Sequence, residues 1–155
     1  MRINRSKKGF TLIELLIVVA IIGIIVAIAI PNLLNAIDRG KQKRTMADMR
    51  SIGTAVESYS IDFNFYPVYS GPVDGSSAGL SIEPVYIKRA PSRDGWNGQM
   101  QYECADGSQY TVQSYAKGNA NDGLVNAAGG PTQDFAADIF FSNGVFVQWP
   151  EGQQR

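Results

Sequence analysis

Residues 10–30 read FTLIELLIVVAIIGIIVAIAI, an apolar run in which Glu14 is the one charged residue. A helix of this length is about 31 Å long at about 1.5 Å per residue, which matches the hydrocarbon thickness of a lipid bilayer. Because the run is apolar on every side, it has to be buried in lipid, in a protein core or against other copies of itself. The rest of the chain is too short to surround such a helix, so the sequence predicts insertion in lipid or self-assembly.

Glu14 is the residue of this run that needs an explanation. A carboxylate inside the hydrocarbon region costs about 2.5–3.5 kcal/mol, and no cation lies at helical spacing within the run. Its partner must therefore come from another molecule or from a newly exposed amine. If the bond between Gly9 and Phe10 were cut, the α-ammonium group of Phe10 in one subunit would neutralise Glu14 of a neighbour and set the axial register of a bundle.

Two simpler interpretations of the N-terminus, a secretory signal and a single-span anchor, leave this acid unexplained. A secretory signal also has a shorter apolar region, of about 7–15 residues. Positive residues lie on both sides of the run, at 2–8 and at 39–44, so charge favours neither orientation. The second basic stretch suits either a phospholipid headgroup or a solvated helix face that pairs with acids of neighbouring heads.

Composition excludes several classes of function. Of 155 residues, 14 are Lys or Arg and 14 are Asp or Glu, and this balance argues against a nucleic-acid partner, which requires a basic surface. The chain has no histidine, which removes imidazole bases, Ser-His-Asp nucleophiles and histidine zinc sites. The single cysteine, Cys104, forms neither an intrachain disulfide nor a thiolate cluster, and we expect it to be a small buried apolar residue. The protein is not expected to be an enzyme.

After the apolar run the pattern predicts an amphipathic helix that ends near Ile61. Its core-facing side is an apolar stripe at spacings of three and four residues, which comprises Met49, Ile52, Val56, Tyr59 and Phe63. Residues 62–99 contain many Gly, Pro and Ser residues and are predicted to be mainly irregular.

Two hairpins are predicted in the C-terminal part of the chain. The first joins 100–104 to 110–115, and the second joins 139–141 to 145–147 through Asn143-Gly144, a strong signal for a two-residue turn. The economical arrangement is an α+β fold, in which a small antiparallel sheet of about four strands packs on the helix.

An acidic segment at 116–138 lies between the two hairpins. Loops longer than about 12–15 residues are uncommon unless they are functional or disordered. Calcium takes about six to eight oxygen ligands, from carboxylates, amides and carbonyls. A calcium site and a solvated loop without metal both remain open, and the candidate ligands are Asp122, Asp138, Asp134 and Asn121.

The stretch KKGFTLIE at 7–14, followed by the apolar tail, resembles the leader and N-terminal helix of type IV prepilins and type II secretion pseudopilins. The resemblance implies a basic leader at 1–9 that a prepilin peptidase removes by cleavage after Gly9, on the cytoplasmic side. It further implies methylation of the new amine on Phe10 and a role for Glu14 in assembly.

The same resemblance implies a type IV pilin-like fold with one long helix. A transmembrane or filament-core half at 10–30 would continue into an amphipathic half at 31–61. Pro31 falls where the family carries a helix-distorting proline. The irregular segment 62–99 and a sheet at 100–155 would follow. The implied location is the bacterial inner membrane, crossed once, with the head in the periplasm, or a surface filament after assembly.

The head resembles one branch of this family, the major pseudopilin of type II secretion. The similar segments are YIKRAP at 86–91, DGWNG at 94–98, SYAKGNANDG at 114–123 and Asp138-Ile139. They imply a homopolymer that works with minor pseudopilins and an inner-membrane assembly platform, and a calcium ion in the acidic segment.

Two alternative functions remain open. One is the major pilin of a type IVa pilus, used for adhesion, twitching or DNA uptake. The lone Cys104 weakens it, because those pilins often close a C-terminal loop with a disulfide. The other, from a different class, is a membrane-anchored binding or enzymatic head.

Overall fold

The first element of the computed structural model, which describes residues 9–76, 79–125 and 128–151, is helix α1 (Leu12–Phe63). The chain divides into two units between Ala36 and Ile37, so α1 contributes to both. The helix ends slightly beyond the predicted Ile61, where Asn64 adopts a left-handed conformation (φ 62°) that stops it.

In the first unit, α1 passes through Pro31 without a break. Proline has no N–H, so one carbonyl in this turn lacks its usual backbone donor. The side chain of Asn32 donates a hydrogen bond to the carbonyl oxygen of Ile28 (3.1 Å), which supports the same turn. The proline is therefore accommodated within a continuous helix.

The second unit contains a six-stranded sheet in the order β1-β2-β3-β5-β6-β4. All neighbouring strands are antiparallel except β4 and β6, which are parallel. A short 3-10 turn, Ala116–Gly118, follows β3. The strands are β1 (Tyr69–Pro72), β2 (Gln101–Cys104), β3 (Thr111–Ser114), β4 (Gly130–Thr132), β5 (Ile139–Ser142) and β6 (Val145–Pro150).

Both predicted hairpins are confirmed, β2–β3 and β5–β6. Asn143 (φ 47°) and Gly144 (φ 85°) supply the two positive φ angles that a tight turn between β5 and β6 requires. Two strands were not expected, because β1 lies in the segment predicted to be irregular and β4 lies in the acidic segment. Each is an edge strand that contains Gly and Pro, residues that weaken the sequence signal of a strand.

The core of the second unit forms between α1 and one face of the sheet. Met49, Ile52 and Val56 are fully buried, as the apolar stripe predicts, whereas Tyr59 is half-buried and Phe63 lies at the surface. The sheet contributes buried residues from β2, β3 and β5 and from the turn before β3, including Tyr102, Cys104, Tyr110, Val112, Ile139 and Phe141. The predicted α+β fold, with one long N-terminal helix and a mainly antiparallel sheet, is confirmed.

Candidate functional site

Thr11 and Glu14 form a reciprocal cap at the start of α1. Oε2 of Glu14 accepts hydrogen bonds from the backbone N–H (2.8 Å) and the hydroxyl (2.7 Å) of Thr11. The backbone N–H of Glu14 in turn donates to Oγ1 of Thr11 (3.3 Å). This is a capping box, which satisfies N–H groups that have no partner in the first helical turn. The interpretation of Glu14 as an acid without a local role missed this contact, although Thr-x-x-Glu before an apolar run is its sequence signal.

Gly9 and Phe10 precede the helix, and both are exposed. The side chain of Phe10 is 76% exposed. Among the described residues, no atom beyond the chain neighbours of Gly9 lies within 4 Å of the position that a Cβ on Gly9 would take, so none of these residues blocks the bond between Gly9 and Phe10. The predicted leader, residues 1–9, otherwise lies outside the described residues. Within the residues that are described, the ion pairs do not include Glu14.

The apolar side chains of α1 in the first unit are all exposed, and this is the one helix among the described residues that is long and apolar enough to cross a membrane. Ile13, Ile24 and Ile28 each expose about two thirds of their surface. A continuous apolar surface of this size marks contact with a membrane or with other proteins.

Asp138 is the buried acid of the predicted calcium segment. Its side chain is inaccessible to solvent, and Oδ2 accepts three hydrogen bonds, from Nε2 of Gln113 (2.9 Å) and from the backbone N–H groups of Asp122 and Gly123 (both 3.1 Å). Oδ1 is also buried and has no hydrogen-bond partner. Burial raises the pKa of Asp138 above that of an ordinary carboxyl group, and the three hydrogen bonds offset only part of this effect.

The structure brings Asp122 close to this acid. The negative charge of Asp122 contributes to the raised pKa of Asp138. Oδ2 of Asp122 and the carbonyl oxygen of Ala136 both face the Cα of Gly118, where an added Cβ would lie 3.6 Å and 3.0 Å from them. Gly118 thus leaves a space bordered by two oxygen atoms and by the Cβ of Ala136 (3.5 Å).

The other two predicted ligands have different partners. Oδ1 of Asn121 accepts a hydrogen bond from Gln113 (3.1 Å), and Oδ1 of Asp134 accepts one from the backbone N–H of Ala136 (2.9 Å). Over residues 9–76, 79–125 and 128–151, no three acidic side chains converge as a metal-binding group. Of the predicted carboxylates, Asp122 and Asp138 are neighbours. The carboxylate of Asp134 instead supports a turn.

Gln148 on β6 is a residue of this region that the sequence did not reveal. It is 1% exposed, donates to the carbonyl oxygen of Asp138 (2.7 Å) and accepts a hydrogen bond from the backbone N–H of Val125 (2.8 Å). An amide that is buried must satisfy both its donor and its acceptor. Gln148 does so by fastening the acidic segment to the sheet.

A second polar cluster connects α1 to the loops of the head. Asp38 is 7% exposed and accepts hydrogen bonds from Nζ of Lys117 (2.9 Å) and Nε1 of Trp96 (3.1 Å). Burial alone would raise the pKa of Asp38, but these hydrogen bonds and the charge of Lys117 outweigh it, and the pKa lies below that of an ordinary carboxyl group. Two turns further along α1, Oγ1 of Thr45 accepts a hydrogen bond from the backbone N–H of Gly95 (2.9 Å).

The loop that carries Trp96 is organised by the buried carboxylate of Asp94. Oδ1 accepts from the backbone N–H groups of Trp96 (2.9 Å) and Gly98 (2.8 Å), and Oδ2 accepts from the hydroxyl of Ser114 (2.8 Å). The DGWNG segment at 94–98 is therefore a structural loop of the head, and the indole N–H of Trp96 reaches Asp38 on α1.

Comparison with known proteins assigns both parts of the chain. Residues 4–30 match the prokaryotic N-terminal methylation motif, and residues 32–129 match the family described as type II secretion system (T2SS), protein G. The chain is 30% identical over 129 residues to the type II secretion system core protein G of Vibrio cholerae serotype O1, which covers 76% of this chain and 84% of that protein. It is 27% identical over 104 residues to the core protein G of Escherichia coli K12, and that match covers 62% of this chain and 71% of the Escherichia coli protein.

A type IV major pilin, PilA of Myxococcus xanthus, is 42% identical over 72 residues. That match covers 46% of this chain and 33% of the pilin. No solved structure gives a significant match. The similarity to a pilus subunit is thus confined to a shorter part of the chain than the similarity to the secretion proteins.

Proposed function

This chain belongs to the type II secretion system protein G family, and on that basis we propose that it is the major pseudopilin of a type II secretion system. It acts as a structural subunit that polymerises into a helical filament, and it is not an enzyme. The observation that carries the proposal is the part of α1 in the first unit, whose apolar side chains are all exposed.

That surface requires a covering outside the chain. Burying one large aliphatic side chain is worth about 1.5–3 kcal/mol, so a helix that exposes many of them is not stable in water. Lipid covers the helix before assembly, and neighbouring copies cover it within the filament. The subunit accordingly crosses the bacterial inner membrane once, with its head in the periplasm.

Glu14 has two roles in this proposal. Both hydrogen bonds that the carboxylate of Glu14 accepts within the capping box use Oε2. After a prepilin peptidase cuts between Gly9 and Phe10 and methylates the new amine, Oε1 meets the ammonium group of Phe10 in a neighbouring copy. The charge pair in an apolar bundle then sets the axial register, which apolar packing alone leaves free to slide.

The assembly partners follow from this role: further copies of the chain, minor pseudopilins, an inner-membrane assembly platform, the peptidase and the lipid bilayer. The type IVa pilus is the second candidate, supported by the similarity to the Myxococcus pilin. The family match over residues 32–129, which includes much of the head, favours secretion.

Intact mass of the protein purified from membranes tests the processing step. The expected mass lacks residues 1–9 and carries one additional methyl group, and an unprocessed mass would contradict the proposal. Deletion of the gene separates the two systems. Retention of secreted proteins in the periplasm is expected, whereas loss of surface fibres with normal secretion would assign the chain to a pilus.

We also propose a calcium ion in the acidic segment. The buried, unpartnered Oδ1 of Asp138 and the space that Gly118 leaves beside Asp122 and the carbonyl of Ala136 suit an oxygen-coordinated cation. When bound, the ion supplies positive charge that offsets the repulsion between the two carboxylates. Asp122 and Asp138 would hold it, while Asp134 and Asn121 would support the surrounding turn.

Thermal unfolding of the full chain in detergent tests the metal. Added calcium is expected to raise the midpoint, and chelation to lower it. Asp122→Asn should abolish this response, whereas Asp134→Asn, a matched change in the same segment, should retain it. If the unaltered protein has the same midpoint with calcium and with chelator, the proposed calcium site is wrong.

A further inference from the structure

A basic groove lies on the head between α1 and residues 87–93. It has a volume of about 440 Å³, and its charged lining consists of Arg44 and Asp48 from α1 and of Arg89 and Arg93 from the other side. Three guanidinium groups therefore face a single carboxylate.

The pairing inside the groove leaves most of this positive charge available. Nε of Arg44 lies 3.5 Å from Oδ2 of Asp48, but the side chain of Arg44 is 71% exposed. Arg93 donates to the carbonyl oxygen of Asn97 (2.9 Å), which does not neutralise it, and Arg89 is exposed. Exposed ion pairs contribute little to stability. The arginines therefore serve recognition better than they serve the fold.

The opposite charge is concentrated elsewhere on the same head. In residues 94–151 the only cation of the sequence is Lys117, and it is paired with Asp38. The hairpin β2–β3 carries the exposed acids Glu103 and Asp106, which do not line the groove. Glu103 lies on the outer face of β2, because its neighbours along the strand are buried.

Asp106 is held in place as a charged group. Its Oδ1 accepts hydrogen bonds from the backbone N–H (2.9 Å) and the hydroxyl (2.7 Å) of Ser108. These bonds keep the pKa of Asp106 below that of an ordinary carboxyl group. The hairpin thus presents a negative charge whose position is fixed by hydrogen bonds to Ser108.

We propose that the basic groove of one copy receives the β2–β3 hairpin of a neighbouring copy in the filament. This inference rests on the proposed polymerisation. Identical subunits that form an open helical assembly must join two different surfaces, since a self-complementary surface closes into a dimer. A groove rich in arginine and a separate acidic hairpin on one chain meet this requirement, and their charges set the orientation of the heads.

Charge reversal in the full chain, expressed in cells that assemble the filament, tests the contact. R89E/R93E is expected to reduce sedimentable multimers about tenfold or more, because like charges would face each other across the contact. Adding E103K/D106K to the same chain should restore assembly, since both surfaces are then reversed. The matched control is R39E/K43E, which changes the net charge equally at exposed positions of α1 outside the groove and should assemble normally.

Cross-linking gives a measurement that does not depend on the charge-reversed proteins folding. R89C/D106C should form a ladder of disulfide-linked multimers on oxidation, and either single variant should not. Cys104 is buried and does not contribute to the ladder.

The outcomes separate this inference from the proposed function. Failure of the unaltered protein to form multimers would contradict polymerisation itself. Normal multimers from R89E/R93E, or no ladder from R89C/D106C in a protein that polymerises, would overturn the contact alone. If R89E/R93E polymerises but no longer binds vesicles of anionic phospholipid, the groove binds lipid headgroups and the inference is wrong.

Discussion

Two stretches of the same helix differ in what surrounds them. Between Leu12 and Ala36, α1 is almost entirely apolar and no described side chain is buried. Between Asp38 and Val56 it is far more polar, yet it buries one side against the head, including Asp38, Gln42 and Thr45. The more apolar stretch of the helix is therefore the exposed one, and the more polar stretch is the one that is partly buried. The second stretch is stabilised by packing within the chain, and the proposed function has lipid and neighbouring copies stabilise the first.

The largest effect is expected from replacing Glu14, which belongs to the stretch that depends on other molecules. Glu14→Ala removes the capping box and the proposed charge pair, and we expect it to abolish polymerisation. The thermal midpoint of the head should be unchanged, because the first unit contains none of the buried core residues. Sedimentation of multimers and thermal unfolding in detergent measure the two effects.

Glu14→Gln distinguishes the two roles of the acid. Glutamine retains the hydrogen bonds of a capping box but not the charge. We expect this variant to be as defective as Glu14→Ala, since the proposed partner is a cation. Normal assembly of Glu14→Gln would show that Glu14 acts through the cap alone.

A glycine-to-valine change compares the two stretches directly. A Cβ on Gly53 would overlap the ring of Phe141, whereas one on Gly23 meets no atom of the described residues within 4 Å. Gly53→Val is expected to lower the free energy of unfolding of the head by about 1–3 kcal/mol or more through overpacking. Chemical denaturation should show no change for Gly23→Val, and equal losses for both variants would contradict the division of the helix into these stretches.

The smallest effect concerns the polar pairing of Asp38. Asp38→Asn removes a charged acceptor for Lys117 and Trp96 and should cost about 1–2 kcal/mol, since Lys117 is half exposed and solvent screens part of the interaction. Because the pKa of Asp38 is lowered by folding, its contribution is present above the unfolded value of about 3.9 and is lost as pH falls through the lower folded value. The loss of stability below about pH 4 should therefore be smaller in Asp38→Asn. Denaturation curves at several pH values check this, and parallel pH profiles for the two proteins would contradict it.

Features that depend on neighbours in sequence were predictable. The apolar run, the stripe from Met49 to Val56 and the Asn143-Gly144 turn each reflect a local pattern, and the structure confirms them. The capping box of Thr11 and Glu14 is equally local, and the Thr-x-x-Glu pattern predicts it. The cost of a charge in lipid explains only the second role of Glu14, which requires a partner from another copy. The predicted boundaries of the leader and of the other segments stay predictions.

Features that join distant residues were not predictable. Asp38 and Lys117 lie 79 positions apart, and nothing in either neighbourhood marks them as partners. The edge strands β1 and β4 likewise exist because they pair with β2 and β6, not because their Gly- and Pro-containing sequences favour a strand. Pairing energy from the rest of the sheet outweighs weak local propensity there.

The amino-acid sequence alone determined that this protein has an apolar helix without a covering of its own, a processing motif in front of it and a β-rich head, because composition and periodicity are properties of the chain itself. Only the tertiary structure decided which acids are buried, which cations remain exposed around Arg89, and how Asp138 and Gln148 hold the acidic segment. Those outcomes depend on distances between residues that are remote in sequence, and folding is what brings them together.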